Sequence, residues 1–338
     1  MQRIGIIGAS GYAGVELLRL CLAHPDLDVA WATGETQAGT RVATLYPHLA
    51  ALAGDLVFEP YDEARAEGLD LVFLALPHGA SQALVPDLRK RAGAVVDLAA
   101  DFRLRDASLY PTWYGEAHRA PGHLADFAYG LPELFRDDVV GATAIAVPGC
   151  YPTAAALALT PLVRAGAIET TGVIVDAATG VSGGGRAPNP RFTFGAANED
   201  FRAYGLLDHR HTPEIEQATG ASVLFTPHLA PMSRGILATC YARPSGTTST
   251  EELLATLADA YAGEPFVVVD EAPPSTKATT GSNCAHLSAR HDARTGWVVV
   301  LCALDNLVKG ASGQAVQCAN LSLGLPEATG LPLSGFVS

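Results

Sequence analysis

Apolar and polar positions alternate along this chain in two different rhythms. Up to about residue 148, short apolar runs are separated by stretches with helical spacing. Arg3–Ile7, Val29–Thr33, Leu69–Leu76, Gly93–Ala99 and Thr143–Val147 read as buried strands, and Pro77 stops the third of them. Gly14–Leu22 places its apolar residues on one helix face. Strands alternating with helices in this way predict βαβ units and a doubly wound parallel sheet.

Beyond Cys150 the texture changes. Thr153–Ala165 reads as a helix with a kink at Pro161. Val173–Ala177, Ser222–Thr226, Ile236–Ala242, Phe266–Asp270 and Trp297–Ala303 read as strands of a mixed or antiparallel sheet. Ser249 and Glu252 have capping-box spacing ahead of a helix that carries Leu253, Leu254, Leu257 and Tyr261 on one face. Gly180–Pro190 is too rich in Gly and Pro for regular structure, and Lys309–Leu323 predicts a last helix. The expected fold class is therefore α/β, with a second α+β domain. The boundaries are 1–148 and 149–309, and a C-terminal helical segment at about 310–338 packs back on the first domain.

With 338 residues, two cores are the default. The net charge of −13 speaks against a nucleic acid or an anionic membrane surface as partner. Any anionic ligand must be held by local Arg, Lys and backbone N–H groups. Six cysteines show neither C-x-x-C nor zinc-type spacing, and the first strand begins at Arg3, leaving no room for a signal peptide. No apolar run reaches membrane-spanning length. The expectation is a cytoplasmic protein with reduced thiols.

Three stretches carry chemistry. From Ile4 to Gly14 the chain reads strand, tight turn, helix, with glycines at 5, 8, 11 and 14. Gly8 and Gly11 allow a backbone turn and a close approach to a pyrophosphate, and the helix start offers unpaired N–H groups. Dinucleotide binding is the reading; a glycine-rich turn without ligand is the bland alternative. The second strand ends Ala32-Thr33-Gly34-Glu35: Thr33 suits a 2′-phosphate and Glu35 repels one, so NAD and NADP stay open at this turn.

Pro148-Gly149-Cys150-Tyr151-Pro152-Thr153 lies between a predicted strand and a predicted helix. Pro152 fits a first helical turn, which puts Cys150 at a helix N-terminus, where a thiolate is favoured. The alternative is a buried structural cysteine. A thiolate beside a nicotinamide has one natural use: attack on an acyl group gives a thioester, and hydride transfer then gives an aldehyde. Asp208-His209-Arg210-His211-Thr212-Pro213-Glu214 adds two imidazoles ahead of a helix that Thr212 is expected to cap. No third ligand is spaced for a metal, so the histidines read as acid–base groups or as solvated loop residues. Arg103, Arg186, Arg191 and Arg234 are further anion-binding candidates, each more often a surface or salt-bridge residue, and Lys309 reads either as approaching the cofactor from the second domain or as a surface charge.

Eight motifs, in order along essentially the whole chain, resemble the N-acetyl-γ-glutamyl-phosphate reductase family. They are Gly-Ala-Ser-Gly-Tyr-Ala-Gly at 8–14, Ala-Leu-Pro-His-Gly at 75–79, Asp-Leu-Ala-Ala-Asp-Phe-Arg at 97–103 and Tyr-Gly-Leu-Pro-Glu at 129–133; then Pro-Gly-Cys-Tyr-Pro-Thr at 148–153, Gly-Val-Ser-Gly-Gly-Gly-Arg at 180–186, His-Arg-His-Thr-Pro-Glu-Ile at 209–215, and the run from Asp305 to Gln317.

The resemblance implies a Rossmann domain, an α+β domain like that of aspartate-semialdehyde dehydrogenase, and NADP(H) as cofactor. It implies reduction of a small-molecule acyl phosphate to N-acetylglutamate 5-semialdehyde in arginine biosynthesis, by a homo-oligomer. It implies Cys150 as nucleophile, His209 as acid–base group, and His211 as a substrate or loop-ordering residue, with these two roles exchangeable. Arg103 resembles a substrate-phosphate ligand. Gly8, Ser10, Gly11, Tyr12, Ala13 and Gly14 map onto the pyrophosphate loop, Thr33 onto the adenosine side, and Ser182, Gly183 and Asn306 onto the nicotinamide side. Gly184 stands where the family usually has Ala, and Gly281–His286 departs from the usual pattern around Cys284. The rivals are the lysine-biosynthesis paralogue, whose substrate is one methylene longer, and a non-catalytic dinucleotide-binding regulator.

Overall fold

The computed structural model describes residues 1–336 and divides into two units. One comprises Met1–Pro148 with Ala311–Leu331; the other comprises Gly149–Gly310 with the chain from Pro332. The helices used below are α1 (Tyr12–Ala23), α2 (Ser81–Arg91), α3 (Cys150–Arg164), α4 (Thr212–Thr219), α5 (Thr250–Ala260) and α6 (Gly313–Ser322).

The first unit holds a six-stranded sheet of β1 (Gln2–Ile7), β2 (Leu27–Ala32), β3 (Leu71–Leu74), β4 (Val95–Asp97), β5 (Ala128–Tyr129) and β6 (Ala144–Ala146). Its order is β2-β1-β3-β4-β6-β5 and every pairing is parallel. Ile4, Ile6, Leu71, Val72, Phe73, Leu74, Val95 and Val96 are all fully buried, as strands covered on both faces require. The strand order turns outward from β1 in both directions, so the crevice for a ligand opens at the carboxyl ends of β1 and β3.

Helix α6 belongs to this unit through polar bonds: Ser312 Oγ donates to Ala13 O at 2.8 Å, and Gln314 Nε2 to Gly130 O at 2.6 Å. The sequence places one helix over Lys309–Leu323. The structure instead has a π-helical turn at Val308–Ser312 before α6, and Pro332 onward leaves the first unit. That tail is bonded into the second unit, where Asn283 N donates to Pro332 O and Phe336 N to Thr280 O. The last two residues of the segment expected to pack on the first domain lie outside the described residues.

The second unit holds β7 (Val173–Thr179), β8 (Arg202–Ala203), β9 (Val223–Leu229), β10 (Ile236–Ala242), β11 (Val267–Val269), β12 (Ala285–Asp292) and β13 (Trp297–Leu304) in the order β11-β12-β13-β10-β7-β9-β8. Parallel and antiparallel pairs mix. Helices α3, α4 and α5 pack on strands of this sheet. Strand β12 is absent from the sequence expectations because His286, Arg290, His291 and Asp292 break its apolar look. It earns its place by pairing along its full length with β13, and by burying Ala285, Leu287 and Ala289.

One local expectation changes and one gains a detail. The helix expected around Pro161 forms as α3, which runs through that residue to Arg164. A proline there leaves the carbonyl four residues back without its N–H partner, and the Tyr261 hydroxyl supplies one by donating to Leu157 O at 2.6 Å. Thr212 does not cap α4: it is the first helical residue, His211 precedes it, and no side chain caps this end. The capping box of Ser249 and Glu252 forms with both of its bonds.

Two buried groups of the first unit give its stability opposite slopes with pH. His24 accepts the Asp26 N–H on Nδ1, so its neutral ring carries the proton on Nε2, facing Asn320 Oδ1 at 3.1 Å. Burial lowers its pKa from 6.5. Its contribution is complete above pH 6.5 and fades as pH falls below that. Asp97 is fully buried, and Ser81 Oγ lies 2.8 Å from its Oδ2 and 2.7 Å from Asp101 Oδ2. One hydroxyl hydrogen cannot serve two carboxylates, so one acid keeps its proton. Burial, and then the Asp101 charge, push Asp97 up to about 8. Burial also works to raise Asp101, but hydrogen bonds from His78, Gly79 and Ser81 outweigh it and hold that carboxyl below its usual range.

Asp97 therefore stabilises the fold fully only below about 3.8, and that contribution is lost as pH rises to about 8. Between pH 6.5 and 8 stability should fall by about 2 kcal/mol. Asp97→Asn should abolish that fall in melting curves taken at both pH values; an unchanged slope would remove Asp97 as its source.

Candidate active site

The nucleotide end of the first unit is built around backbone contacts. Gly8 has φ +84°, and a Cβ there would meet Ala75 O at 2.5 Å. A Cβ on Gly14 would lie 2.2 Å from Gly8 O. These two glycines are demanded by the fold. Gly11 is not: its φ is −81° and the nearest atom to an added Cβ is 3.6 Å away. What its missing side chain leaves is open space at the N-terminus of α1, which has no side-chain cap and no acidic residue in its first turn. Such an end suits the pyrophosphate of a dinucleotide.

Ser10, Tyr12 and Ala13 share this turn, and Ser10 O is held by the Tyr46 hydroxyl at 2.7 Å. Thr33 is 1% exposed and its Oγ1 accepts the Gly8 N–H at 3.0 Å, so it braces the glycine loop. Arg103 is likewise mostly buried, and donates through Nε to Val147 O and through Nη2 to Leu98 O, both at 2.8 Å. Those bonds brace the chain leading to Pro148 and fix where the guanidinium sits.

In the second unit Gly149 precedes α3 in extended conformation and Cys150 is the first helical residue. All six cysteines are free thiols; Cys150 alone is half-buried, the others being buried. Burial pushes the thiols of Cys21, Cys240, Cys284 and Cys302 upward, which makes them inert at neutral pH. Gly310, in the π-helical turn, packs on the nucleophile position: a Cβ there would lie 2.8 Å from Cys150 Cβ. The same turn carries Lys309, fully buried with its Nζ 5.6 Å from the Phe266 ring centroid, so it is not a surface charge.

The two histidines do come together, on a turn and not on an extended segment. Their ring centroids are 4.7 Å apart, and His209 also faces Phe225 at 5.3 Å, Tyr204 at 5.6 Å and Tyr151 at 5.9 Å. His209 Nδ1 accepts the His211 N–H at 3.2 Å, which leaves the proton of the neutral ring on Nε2. Burial, with the Arg210 charge second, lowers His209 to about 4. His211 is 8% exposed, and its ring lies 6.0 Å from that of Tyr151.

The Tyr204 hydroxyl donates to Tyr151 Oη at 3.1 Å, and Tyr151 donates to His228 O at 3.0 Å. Burial first, and the neighbouring Cys150 among the lesser causes, push Tyr204 up to about 12 and Tyr151 higher still. Both therefore stay neutral donors. Tyr204, Phe225, Glu214 and Gly310 escape a reading by motif. Only Glu214 and Gly310 lie inside quoted stretches, and nothing local marks what they touch.

Ser182, Gly183 and Asn306 also meet, at the end of β7. Asn306 is 2% exposed; its Nδ2 donates to Ser182 Oγ at 2.9 Å and its Oδ1 accepts the Gly235 N–H at 2.8 Å. Ser182 is thereby turned so that its own hydroxyl hydrogen is left to point elsewhere. A Cβ on Gly184 would lie 2.2 Å from the Phe192 ring, which accounts for glycine in place of alanine there.

Comparison with known proteins extends over the whole chain. Residues 3–142 match the family model described as semialdehyde dehydrogenase, NAD binding domain, and residues 150–306 the one described as semialdehyde dehydrogenase, dimerisation domain. The chain is 48% identical to the N-acetyl-gamma-glutamyl-phosphate reductase of Symbiobacterium thermophilum, with 99% of each chain covered. It is 47% identical to that of Geobacter sulfurreducens, with 98% of each covered, and 46% identical to that of Magnetococcus marinus, with 97% of each covered. Among solved structures it resembles aspartate semialdehyde dehydrogenase II of Vibrio cholerae with a TM-score of 0.72 at 15% identity, over 96% of this chain and 99% of that one. It resembles the Candida albicans aspartate semialdehyde dehydrogenase, solved with NADP, with a TM-score of 0.67 at 15% identity, over 96% of this chain and all of that one. At such identity the structural likeness bears on the fold alone.

Proposed function

Because the chain belongs to the N-acetyl-γ-glutamyl-phosphate reductase family, we propose that it reduces N-acetyl-γ-glutamyl phosphate to N-acetylglutamate 5-semialdehyde and phosphate, with NADPH, in arginine biosynthesis. The observation that carries the reading is the second-unit cluster: a half-buried thiol at the first position of α3, in a unit whose paired imidazoles sit against the next side chain, Tyr151.

NADP(H) fits the first unit on the evidence of the uncapped start of α1 and the space left by Gly11. Gly8, Ser10, Gly11, Tyr12, Ala13 and Gly14 would hold its pyrophosphate, the family resemblance gives Ser182, Gly183 and Asn306 the nicotinamide side, and the bound group would supply hydride. The protein's own residues do the rest. Cys150 sulfur, as thiolate, attacks the γ-acyl carbon; the carbon–oxygen bond to phosphate breaks and phosphate leaves. With hydride supplied to the thioester carbon, the Nε2–H of neutral His209 would hydrogen-bond the oxygen that takes up charge. That oxyanion re-forms the carbonyl as the carbon–sulfur bond breaks, which releases the aldehyde and restores the thiolate. His211 holds the turn that carries His209, and contacts substrate.

The test is phosphate-dependent reduction of NADP by N-acetylglutamate 5-semialdehyde, run beside the homologue one methylene longer. One methylene is worth about 1–3 kcal/mol in a pocket, so the shorter substrate should win by roughly 10-fold or more. Preference for the longer one would move the assignment to the lysine paralogue.

A homo-oligomer is the proposed assembly, and reducing cytoplasm the proposed location. Strands β7, β10 and β13 bury alternate residues under helices, while Ile174, Leu237, Tyr241, Val299 and Leu301 stay half-exposed on the other face. A broad apolar sheet face of this kind suits a second copy, in keeping with the dimerisation description of the family model. Val299→Asp should shift sedimentation toward the monomer; an unchanged assembly would place the interface elsewhere. Six free thiols suit a reducing compartment, and fractionation of the host cell checks it. No helix among the described residues is long and apolar enough to cross a membrane.

A further inference from the structure

Glu214 is fully buried on the first turn of α4, three residues past His211. Acidic residues at such positions usually serve their own helix. This one reaches another: its Oε1 accepts the N–H of Gly149 at 2.8 Å. Gly149 is the residue before α3, directly ahead of Cys150. The histidine turn and the nucleophile turn, 59 residues apart in sequence between Cys150 and His209, are thus joined by one side-chain bond.

Gly149 O is already engaged, accepting from Thr153 N at 2.9 Å and from Thr153 Oγ1 at 3.0 Å. On the far side of Cys150, Gly310 closes the space to backbone distance. At the other end of the helix pair, Thr160 Oγ1 donates to Ala218 O at 3.3 Å, so α3 and α4 are tied at both ends.

We infer that Glu214 is a positioning residue that sets the register between the Cys150 turn and the His209–His211 turn through its Oε1, the acceptor of the Gly149 N–H. The inference rests on the reading of Cys150 and the histidines as one reactive centre. It concerns the acceptor and not the charge, which gives it a sharp test, because glutamine keeps an oxygen at the same reach while alanine has none and aspartate falls one methylene short.

Four proteins are compared: the wild type, Glu214→Gln, Glu214→Ala and Glu214→Asp. For each, kcat and the KM for NADPH are measured, together with the rate of Cys150 alkylation by iodoacetamide across pH in the absence of substrate. Glu214→Gln should stay within about threefold of wild type in kcat. Glu214→Ala and Glu214→Asp should lose on the order of 10²-fold, the cost of misplacing a reacting group by about 1 Å, with the KM for NADPH unchanged. The alkylation profile should follow the same grouping.

A glutamine variant as impaired as alanine, or an alanine variant as active as wild type, overturns the inference. If Glu214→Ala fails to fold, the glutamine-to-aspartate comparison decides alone. A wild type that reduces no acyl phosphate sinks the functional reading instead. The alkylation rates still report on the junction in that case, so the two failures are told apart.

Discussion

Replacing Cys150 by serine is expected to lower kcat/KM for the phosphate-dependent reaction by roughly 10⁴-fold or more, the scale on which removal of a covalent nucleophile acts in other enzymes. Serine is close in size and can occupy the first position of α3 without disturbing Gly149 or Gly310, whose packing is set by Cα and Cβ. The loss therefore reports chemistry. A hydroxyl at a helix N-terminus is not ionised near neutral pH, whereas a thiol there is shifted toward the thiolate. Its oxyester would also be a poorer hydride acceptor than a thioester. Dinucleotide binding should be untouched, because the glycine loop belongs to the other unit. The measurement is steady-state turnover alongside an NADPH titration. Retention of more than a few per cent of activity would sink the thioester scheme.

The second large effect is expected at Gly14. A methyl group there would stand 2.2 Å from Gly8 O, 2.6 Å from Ala9 Cα and 2.7 Å from Ala9 C. All three are backbone atoms of the loop itself, so no rotamer change relieves the contact. Gly14→Ala should cost about 3 kcal/mol or more and push the loop out of register. Gly11→Ala is the control. It meets nothing closer than 3.6 Å, and its backbone is extended, so the melting temperature should move by less than about 1 kcal/mol would produce. Its methyl group would nevertheless fill the space over the start of α1, and the KM for NADPH should rise at least roughly 10-fold. Calorimetry and nucleotide titration on the two variants separate a glycine that the fold requires from one that the ligand requires. Equal behaviour of the two would undo that distinction.

The parallel sheet of the first unit was legible because strands buried on both faces read as near-continuous apolar runs, as Leu71–Leu74 of β3 and Ala144–Ala146 of β6 do. Cys150 was legible for a local reason too: glycine before it and Pro152 after it mark a helix start. Strand β12 was not, because half of its residues are polar and its partner β13 lies downstream. The sequence also did not reveal that Thr33 and Arg103 spend hydrogen bonds on backbone groups of their own unit, because those partners lie 25 and 44 positions away for Thr33 and for Arg103 Nε.

The order of apolar runs, the glycines at tight turns and the residues flanking Cys150 are properties of neighbours in the chain, so the α/β class, the dinucleotide turn and the position of the nucleophile follow from the sequence alone. Which oxygen accepts the Gly149 N–H, what surrounds His209 tightly enough to keep it neutral, and why Gly310 has no side chain depend on residues brought together from as far as 160 positions away. Hydrogen bonds and desolvation act over a few ångströms, and those distances exist only once the chain has folded.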